Sequence, residues 1–316
     1  MSGFKTPILF LIFNRSDLTG RVFERIREIK PAILYIAADG PRASRPSEEL
    51  LCAETRAVTE TIDWDCEVHR LYRDENLGCK TAVSSAITWF FDHVESGIIL
   101  EDDCLPTLSF FRFCAELLAL YDHRDDMGII GGSRAFHLSP SPPESYYFSK
   151  YPHIWGWATW RKVWQHYDVN LNSWDGTEVS LLPQLKNRLV RKHWAEIFNS
   201  VKNGGVDTWD YQLAHLCLAG RRLSLSPTVN LVTNIGFDER ATHTVACDPD
   251  RHPPEGTEIL FPLSHPGCFQ ADETFDQMDE TENWRIPTSE TQLLARQALS
   301  NIRVMGGKVL RMLKLK

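Results

Sequence analysis

The sequence predicts an α/β fold with a mostly parallel sheet flanked by helices. Short apolar runs alternate with stretches of helical periodicity through the first 130 residues. Turn signals close several of those runs. Strands separated by helices imply parallel pairing through βαβ units.

The elements follow in order. Residues 8–13 read as a buried strand. Leu18, Val22, Phe23, Ile26 and Ile29 then recur at helical spacing, with Ser16 or Asp17 as the N-cap. Residues 33–38 form a second strand, ended by Asp39-Gly40-Pro41, and 68–72 a third. Val83, Ala86, Ile87, Phe90 and Val94 mark an amphipathic helix. Residues 98–100 are a short strand. Leu108, Phe111, Ala115 and Leu118 mark another helix, and 127–130 another strand. After Gly131 the pattern changes. Residues 137–152 read as a loop, and a tryptophan-rich run, Trp155-Gly156-Trp157-Ala158-Thr159-Trp160, follows with Trp164. A helix is expected over 208–219, ended by Gly220. Residues 248–266 show little periodicity, and the acidic stretch 271–290 reads as a linker.

Composition narrows the function classes. The chain has 316 residues, 43% hydrophobic and 24% charged, which is ordinary globular material. Its apolar runs are far shorter than the roughly 20 residues a bilayer requires. Lys5 and Pro7 lead into the first strand without a signal-peptide pattern. Eight scattered cysteines with no CxxC pair argue against a zinc ribbon or disulfide framework and fit a reducing cytosol. A net charge of −8 argues against nucleic acid as a partner. The charge is uneven. Residues 291–316 hold six basic residues and no acidic one, leaving −14 on the rest. Leu299, Ile302, Val304, Val309, Leu310, Leu313 and Leu315 mix with those cations, as in a helix lying on an anionic membrane. A core-docked terminal helix explains them equally well.

The most informative local feature is Glu101-Asp102-Asp103, which closes the run Ile98-Ile99-Leu100. Ligands of open α/β sheets bind outside the carboxyl ends of the strands. Carboxylates there are hard ligands for Mg²⁺ or Mn²⁺, usually shared with substrate phosphates. Asp103, last in the triplet, is the best metal ligand, and Asp102 is placed to accept hydroxyl hydrogen bonds from a nucleotide sugar. A solvated turn is the structural explanation, but three adjacent carboxylates repel one another and a cation relieves that repulsion.

Arg15 and Asp39 follow the first two strands and so share that sheet edge. Arg15 can hold a base or phosphate, and Asp39 can accept from a base N–H. Each alone is equally at home as a surface charge or a turn residue. The tryptophan run is either core or a sugar platform, with one of Trp155 and Trp157 facing ligand and Gly156 allowing close backbone approach. Asp207-Thr208-Trp209-Asp210 opens a helix. Structurally, Asp207 suits the N-cap and Asp210 the first turn. Functionally, one of them is a general base. His243 reads as a metal ligand, a phosphate contact or a packed histidine.

These residues, in this order, resemble the GT-A glycosyltransferases, and in particular the N-acetylglucosaminyltransferase I group and bacterial glycosyltransferase-2-like proteins. The matching pieces are Phe13-Asn14-Arg15-Ser16, Ala38-Asp39-Gly40, Leu100-Glu101-Asp102-Asp103 and Phe110-Phe111-Arg112-Phe113. Trp155-Gly156-Trp157, Trp209-Asp210-Tyr211 and Thr242-His243 complete the set. The resemblance implies a Rossmann-like nucleotide-sugar fold over 1–245. Its donor half would be 1–130 and its acceptor half 131–245, followed by an irregular extension (246–290) and the basic tail (291–316). It implies a UDP-sugar donor and a Mn²⁺ (or Mg²⁺) cofactor. Arg15 and Asp39 would flank the uracil. Asp102 would take the ribose and Asp103 the metal, with Glu101 near the transferred sugar. The Gly-Trp region and Trp209 would frame a glycan or lipid-linked saccharide acceptor. Relatives read Trp-Asp-Asp-Trp where this chain has Trp209-Asp210-Tyr211, so Asp210 is the first choice of base and Asp207 the reserve. Transfer is expected to invert, in bacterial surface polysaccharide synthesis. The expected location is the cytoplasm, with peripheral contact on the inner membrane face.

Two other classes share parts of this pattern. A sugar-1-phosphate nucleotidyltransferase would carry a Gly-rich loop after its first strand, which Phe13-Asn14-Arg15-Ser16 lacks. A non-catalytic carbohydrate-binding protein would show no metal-dependent nucleotide affinity.

Overall fold

A computed structural model describes residues 3–134, 142–181, 183–237, 255–287, 289 and 291–292. His243 and the basic tail from 293 onward lie outside the described residues.

An eight-stranded sheet forms the centre, in the order β3 (Glu67–Tyr72), β2 (Ile33–Ala38), β1 (Ile8–Ile12), β4 (Ser96–Glu101), β8 (Trp157–Trp160), β6 (Met127–Gly131), β9 (Leu223–Pro227) and β7 (Tyr146–Ser149). The first four are mutually parallel; β8 and β7 run against the other six. The fold is therefore α/β with a mostly parallel sheet, as the alternation of apolar runs and amphipathic stretches predicts. A small second sheet pairs β5 (Cys104–Pro106) with β10 (Val232–Asn234). Helices α1 (Ser16–Ile29), α2 (Glu48–Val58), α3 (Gly78–His93) and α4 (Leu108–Tyr121) connect the strands of the first half. Helices α5 (Arg161–Trp164), α6 (Arg188–Lys202), α7 (Asp210–Ala219) and α8 (Glu273–Met278) follow. No described helix is long and apolar enough to cross a membrane.

All five residues of β1 are buried, as are four central residues of β4. Continuous apolar runs are what a strand covered on both faces requires. One layer packs Val22, Phe23 and Ile26 of α1 and Phe110, Phe111 and Cys114 of α4 against one face. The other packs Ala86, Ile87 and Phe90 of α3 with Trp157 and Trp209.

Several expectations are corrected. The segment read as a loop over 137–152 contains β7, whose four residues are all buried. The tryptophan run is a central strand, and Trp157 and Trp160 are among the largest fully buried side chains. Helix α1 begins at Ser16, so Arg15 holds the N-cap position and neither Ser16 nor Asp17 does. Helix α7 begins at Asp210 rather than at 208.

The acidic stretch 271–290 is not a linker. Asp272 caps α8 through the N–H groups of Thr274 and Phe275. Asp276, fully buried, accepts from Ser149 Oγ at 2.6 Å. His153 Nε2 lies 2.8 Å from buried Asp279 Oδ2, and Tyr151 Oη donates to Glu280 at 2.6 Å. The acidic composition thus serves buried partners at the end of β7 and on the loop that leads from it into the tryptophan run.

This buried polar seam makes stability fall as pH rises. Burial pulls the His153 imidazole down, but the Asp279 carboxylate more than offsets it, so its pKa lies above the ordinary 6.5. The stabilisation that this gives is complete below 6.5 and lost as pH rises through the folded value. Burial pushes Asp276 up to about 6 against the pull of Ser149 and Lys150, so its contribution is lost between about 4 and 6. The expected result is a melting temperature that declines from pH 6 to pH 8, with a shallower decline in His153→Gln. An equal slope in both proteins would remove His153 from the explanation.

Candidate active site

The carboxyl ends of four adjacent parallel strands build the site. They release Phe13-Asn14-Arg15 from β1, Asp39 from β2, Arg73 from β3 and Glu101-Asp102-Asp103 from β4. A cleft of about 580 Å³ opens over this edge. Its lining includes Arg15, Asp39, Glu101, Asp102, Asp103, Trp155, Asp207, Trp209 and Asp210. Residues more than 190 positions apart thus meet in one place.

Arg15 is the electrostatic centre. Its Nη2 pairs with Asp102 Oδ1 and, at 2.9 Å, with Asp103 Oδ2. Asp102 is 4% exposed, and its second oxygen accepts from the Phe13 N–H at 3.3 Å. Asp102 therefore holds the first strand–helix turn together. Burial raises Glu101, with Asp103, Asp102 and Asp210 adding to the effect. Burial also raises Asp102, against the opposing pull of Arg15.

Asp39 is a clamp. Its carboxylate accepts from the N–H groups of Gly40 (3.0 Å), Leu77 (3.0 Å) and Gly78 (3.2 Å), and from Asn76 Nδ2 (2.8 Å). It ties the end of β2 to the turn that starts α3. Arg42 forks onto Glu48, which also accepts from Asn14 Nδ2 at 3.0 Å, and the Arg42 guanidinium lies 5.3 Å from the Phe13 ring centroid.

Asp207 is a helix cap, but for a different helix from the one it precedes. Its Oδ1 accepts from Lys80 N at 3.3 Å, in the first turn of α3. Gly78 opens that turn at φ +79°, and a β-carbon there would sit 3.0 Å from the Asp207 carboxylate. Asp210 is the first residue of α7. Its Oδ1 takes both the Thr208 hydroxyl and the Tyr211 N–H (2.9 Å), and no described residue bonds its other oxygen. Cys79 lies nearby, but burial and the surrounding carboxylates push its thiol up to about 12, so it is no nucleophile.

The tryptophans divide by role. Trp155 lines the cleft. Trp157 does not: it is 1% exposed and stacks on Trp209 with ring centroids 5.8 Å apart and planes at 19°. Trp164 and Tyr167 extend the pile at 4.2 Å, and Tyr167 Oη donates to the Trp209 carbonyl at 2.8 Å. This stack fixes the turn that carries Asp210. Gly156 does not line the cleft either. Its φ is +63°, and a β-carbon would press on Val232 and Leu100, so packing rather than ligand approach requires glycine.

The donor set limits what cation could bind. Among the described residues, no group of three or more His, Cys, Asp or Glu side chains is arranged to hold a metal ion. Asp103 faces the cleft with 19% of its side chain exposed. One carboxylate in an open cleft does not make a closed cage. It does fit a hard cation that completes its shell with substrate phosphates.

No protein-family model matches the sequence, and no curated protein matches it. Among solved structures, the chain is similar to S. aureus TarS 1-349 at 6% identity, over 72% of this chain and 59% of that one, with a TM-score of 0.42. It is similar to a UDP-glucose pyrophosphorylase complexed with UDP-glucose at 9% identity, over 73% and 93%, with a TM-score of 0.38. It is similar to the inositol-1-phosphate CTP transferase from T. maritima at 10% identity, over 55% and 77%, with a TM-score of 0.31. At these identities and TM-scores the likenesses carry no argument about what this chain does.

Sequence reasoning passed over Arg42, Arg73, Asn76, Cys79 and Thr208, all of which line the cleft. The signal for Arg73 was present. It follows the third strand just as Arg15 and Asp39 follow the first two.

Proposed function

We propose that the chain is a glycosyltransferase that moves a sugar from a nucleoside diphosphate donor, a UDP-sugar in the first instance, to a hydroxyl of a glycan or lipid-linked saccharide. One observation carries the reading. A single cleft places Arg15 and Asp103, suited to a diphosphate and its cation, together with a carboxylate, Asp210, that has one oxygen engaged and, among the described residues, no hydrogen-bond partner at the other.

In this reading Asp103 would hold a Mn²⁺ or Mg²⁺ ion, which when bound would supply charge neutralisation for a diphosphate leaving group. Arg15, held by buried Asp102, adds fixed positive charge beside it. Trp155, Val206 and Tyr211 offer an apolar wall for the sugar or acceptor. Asp210 accepts the proton of the acceptor hydroxyl as that oxygen bonds to the anomeric carbon and the bond to the diphosphate breaks. Attack from the face opposite the leaving group inverts the anomeric centre. Glu101 lies deeper among the carboxylates, near the transferred sugar.

The test is thermal shift with UDP, dTDP, GDP and CMP, each with and without Mn²⁺, on the wild type and Asp103→Ala. A ligand at about 100 times its dissociation constant adds roughly 2.7 kcal/mol to the folded state. The expected result is a Mn²⁺-dependent shift with one nucleotide, lost in the variant. No shift with any of them would sink the reading. Pyrophosphate release from a nucleoside triphosphate and a sugar-1-phosphate would instead assign nucleotidyl transfer to the same cleft.

A further inference from the structure

We propose that Thr208 is a positioning residue for Asp210: its hydroxyl holds one carboxylate oxygen so that the other, Oδ2, is presented to the cleft. The inference rests on the glycosyl-transfer reading above and adds to it the group that orients the base.

The turn 207–210 is anchored residue by residue to different parts of the chain. The Asp207 carboxylate accepts from Lys80 N at 3.3 Å. The Thr208 carbonyl accepts from Gln212 Nε2 at 2.7 Å, and the same nitrogen reaches the Val169 carbonyl at 3.2 Å. The Trp209 carbonyl accepts from Tyr167 Oη at 2.8 Å, and the Trp209 ring lies against Trp157. Thr208, Trp209 and Gln212 are all buried. The main chain is therefore fixed before Asp210 is reached. What is left to set is the rotation of the Asp210 side chain about its own bonds.

Two donors set it, and both act on Oδ1. They are the Thr208 hydroxyl and the Tyr211 N–H at 2.9 Å. A carboxylate held by one N–H alone can still pivot about that bond. A second donor from another direction fixes its plane. Oδ2 has no hydrogen-bond partner among the described residues, and both Thr208 and Asp210 line the cleft.

The hydroxyl is not spent on capping. A threonine just ahead of a helix ordinarily accepts from a backbone N–H of the first turn. Helix α7 has Trp209 at its N-cap position and no side-chain cap bond there. The Thr208 hydroxyl goes to a carboxylate instead. Its direction is well defined, because a buried β-branched side chain has little rotamer freedom.

A general base works only within hydrogen-bond reach of the proton it takes. In the proposed step that proton passes from the acceptor hydroxyl to Oδ2. The acceptor oxygen bonds to the anomeric carbon, and the electron pair of the broken C–O bond leaves with the diphosphate. Thr208 influences this step only through the direction of Oδ2.

The experiment measures Mn²⁺-dependent UDP release from UDP-glucose and UDP-N-acetylglucosamine, with a methyl glucoside or water supplying the hydroxyl. It compares the wild type, Thr208→Val, Thr208→Ser, Asp210→Asn and the double variant Thr208→Val/Asp210→Asn, with UDP affinity read by calorimetry. Thr208→Val should lower kcat by about 10- to 100-fold, the scale of one hydrogen bond to a charged group. Donor KM and UDP affinity should stay unchanged, which also shows that the variant is folded. Thr208→Ser keeps the hydroxyl and should restore most of the rate. In the Asp210→Asn background the effect of Thr208→Val should vanish, because no base is left to aim. An unchanged kcat in Thr208→Val overturns the inference and leaves glycosyl transfer standing. So does a loss that persists in full on top of Asp210→Asn, which would make Thr208 a structural residue. A raised donor KM at unchanged kcat makes Thr208 a substrate contact and overturns it as well. A wild type that neither binds UDP nor releases it from either sugar nucleotide overturns both readings.

Discussion

Asp210→Asn should lower kcat by about 10²–10⁴, the usual contribution of a positioned general base, while leaving donor affinity where it was. The substitution is nearly isosteric. The asparagine carbonyl can still accept from the Thr208 hydroxyl and the Tyr211 N–H, so the first turn of α7 keeps its bonds. What is lost is the anionic oxygen that takes the proton. Asp207→Asn is the control that separates the two aspartates. Asp207 serves the Lys80 N–H at the start of α3, and the amide oxygen of Asp207→Asn can still accept that bond, so the cap and the fold's stability should be largely kept. Its kinetic effect should be small. Steady-state kinetics and thermal melts on the two variants decide between them. A large fall in kcat for Asp207→Asn with little for Asp210→Asn would move the base to Asp207. Equal falls in both would mean that the turn, rather than either carboxylate, is what catalysis needs.

Much of the first 130 residues was legible because their signals are local. An apolar run buried on both faces needs no partner to be recognised, and strands 33–38 and 98–100 were read from composition alone. Their carboxyl ends then placed Arg15, Asp39 and the triplet on one edge by the rules of parallel sheets. The second half was less legible because tertiary partners, not local pattern, decide its structure. Nothing in Tyr146-Tyr147-Phe148-Ser149 distinguishes a strand from an aromatic loop until β9 pairs with it. The run 271–290 looked like a solvated linker because its acids were counted without Ser149, Lys150 and His153, their buried partners. Asp207 was read as capping the helix that it precedes, whereas the N–H that it serves is 127 residues away. Trp157 was one of two equal candidates for a ligand platform. Its alternation with Trp155 along the chain could not show that Trp209 would stack on it.

Arg15→Met should cost roughly 3–5 kcal/mol of stability, the scale for removing one partner of a buried ion pair. The Arg15 side chain is 15% exposed and that of Asp102 is 5% exposed, so solvent cannot replace the guanidinium. The variant leaves Asp102 facing Asp103 in a poorly solvated site, where burial already raises it toward its neutral form. A loss of this size in a chain of more than 250 residues lowers the melting temperature by on the order of 10 °C. Two further variants separate the charge from the shape. Arg15→Lys keeps the charge but loses the fork that spans two carboxylates, so it should recover only part of the loss. Arg15→Met combined with Asp102→Asn removes both members of the pair and should be markedly more stable than Arg15→Met alone. Replacing both partners is often far less costly than orphaning one. The same series reads out on ligand binding. Under the proposed function all three should weaken Mn²⁺-dependent nucleotide binding, because Arg15 stands beside Asp103, the carboxylate proposed to face the diphosphate. A loss below about 1 kcal/mol in Arg15→Met would mean that the pair behaves as a solvated surface bridge. The buried charge balance at the end of β4 would then not be what fixes this edge of the cleft.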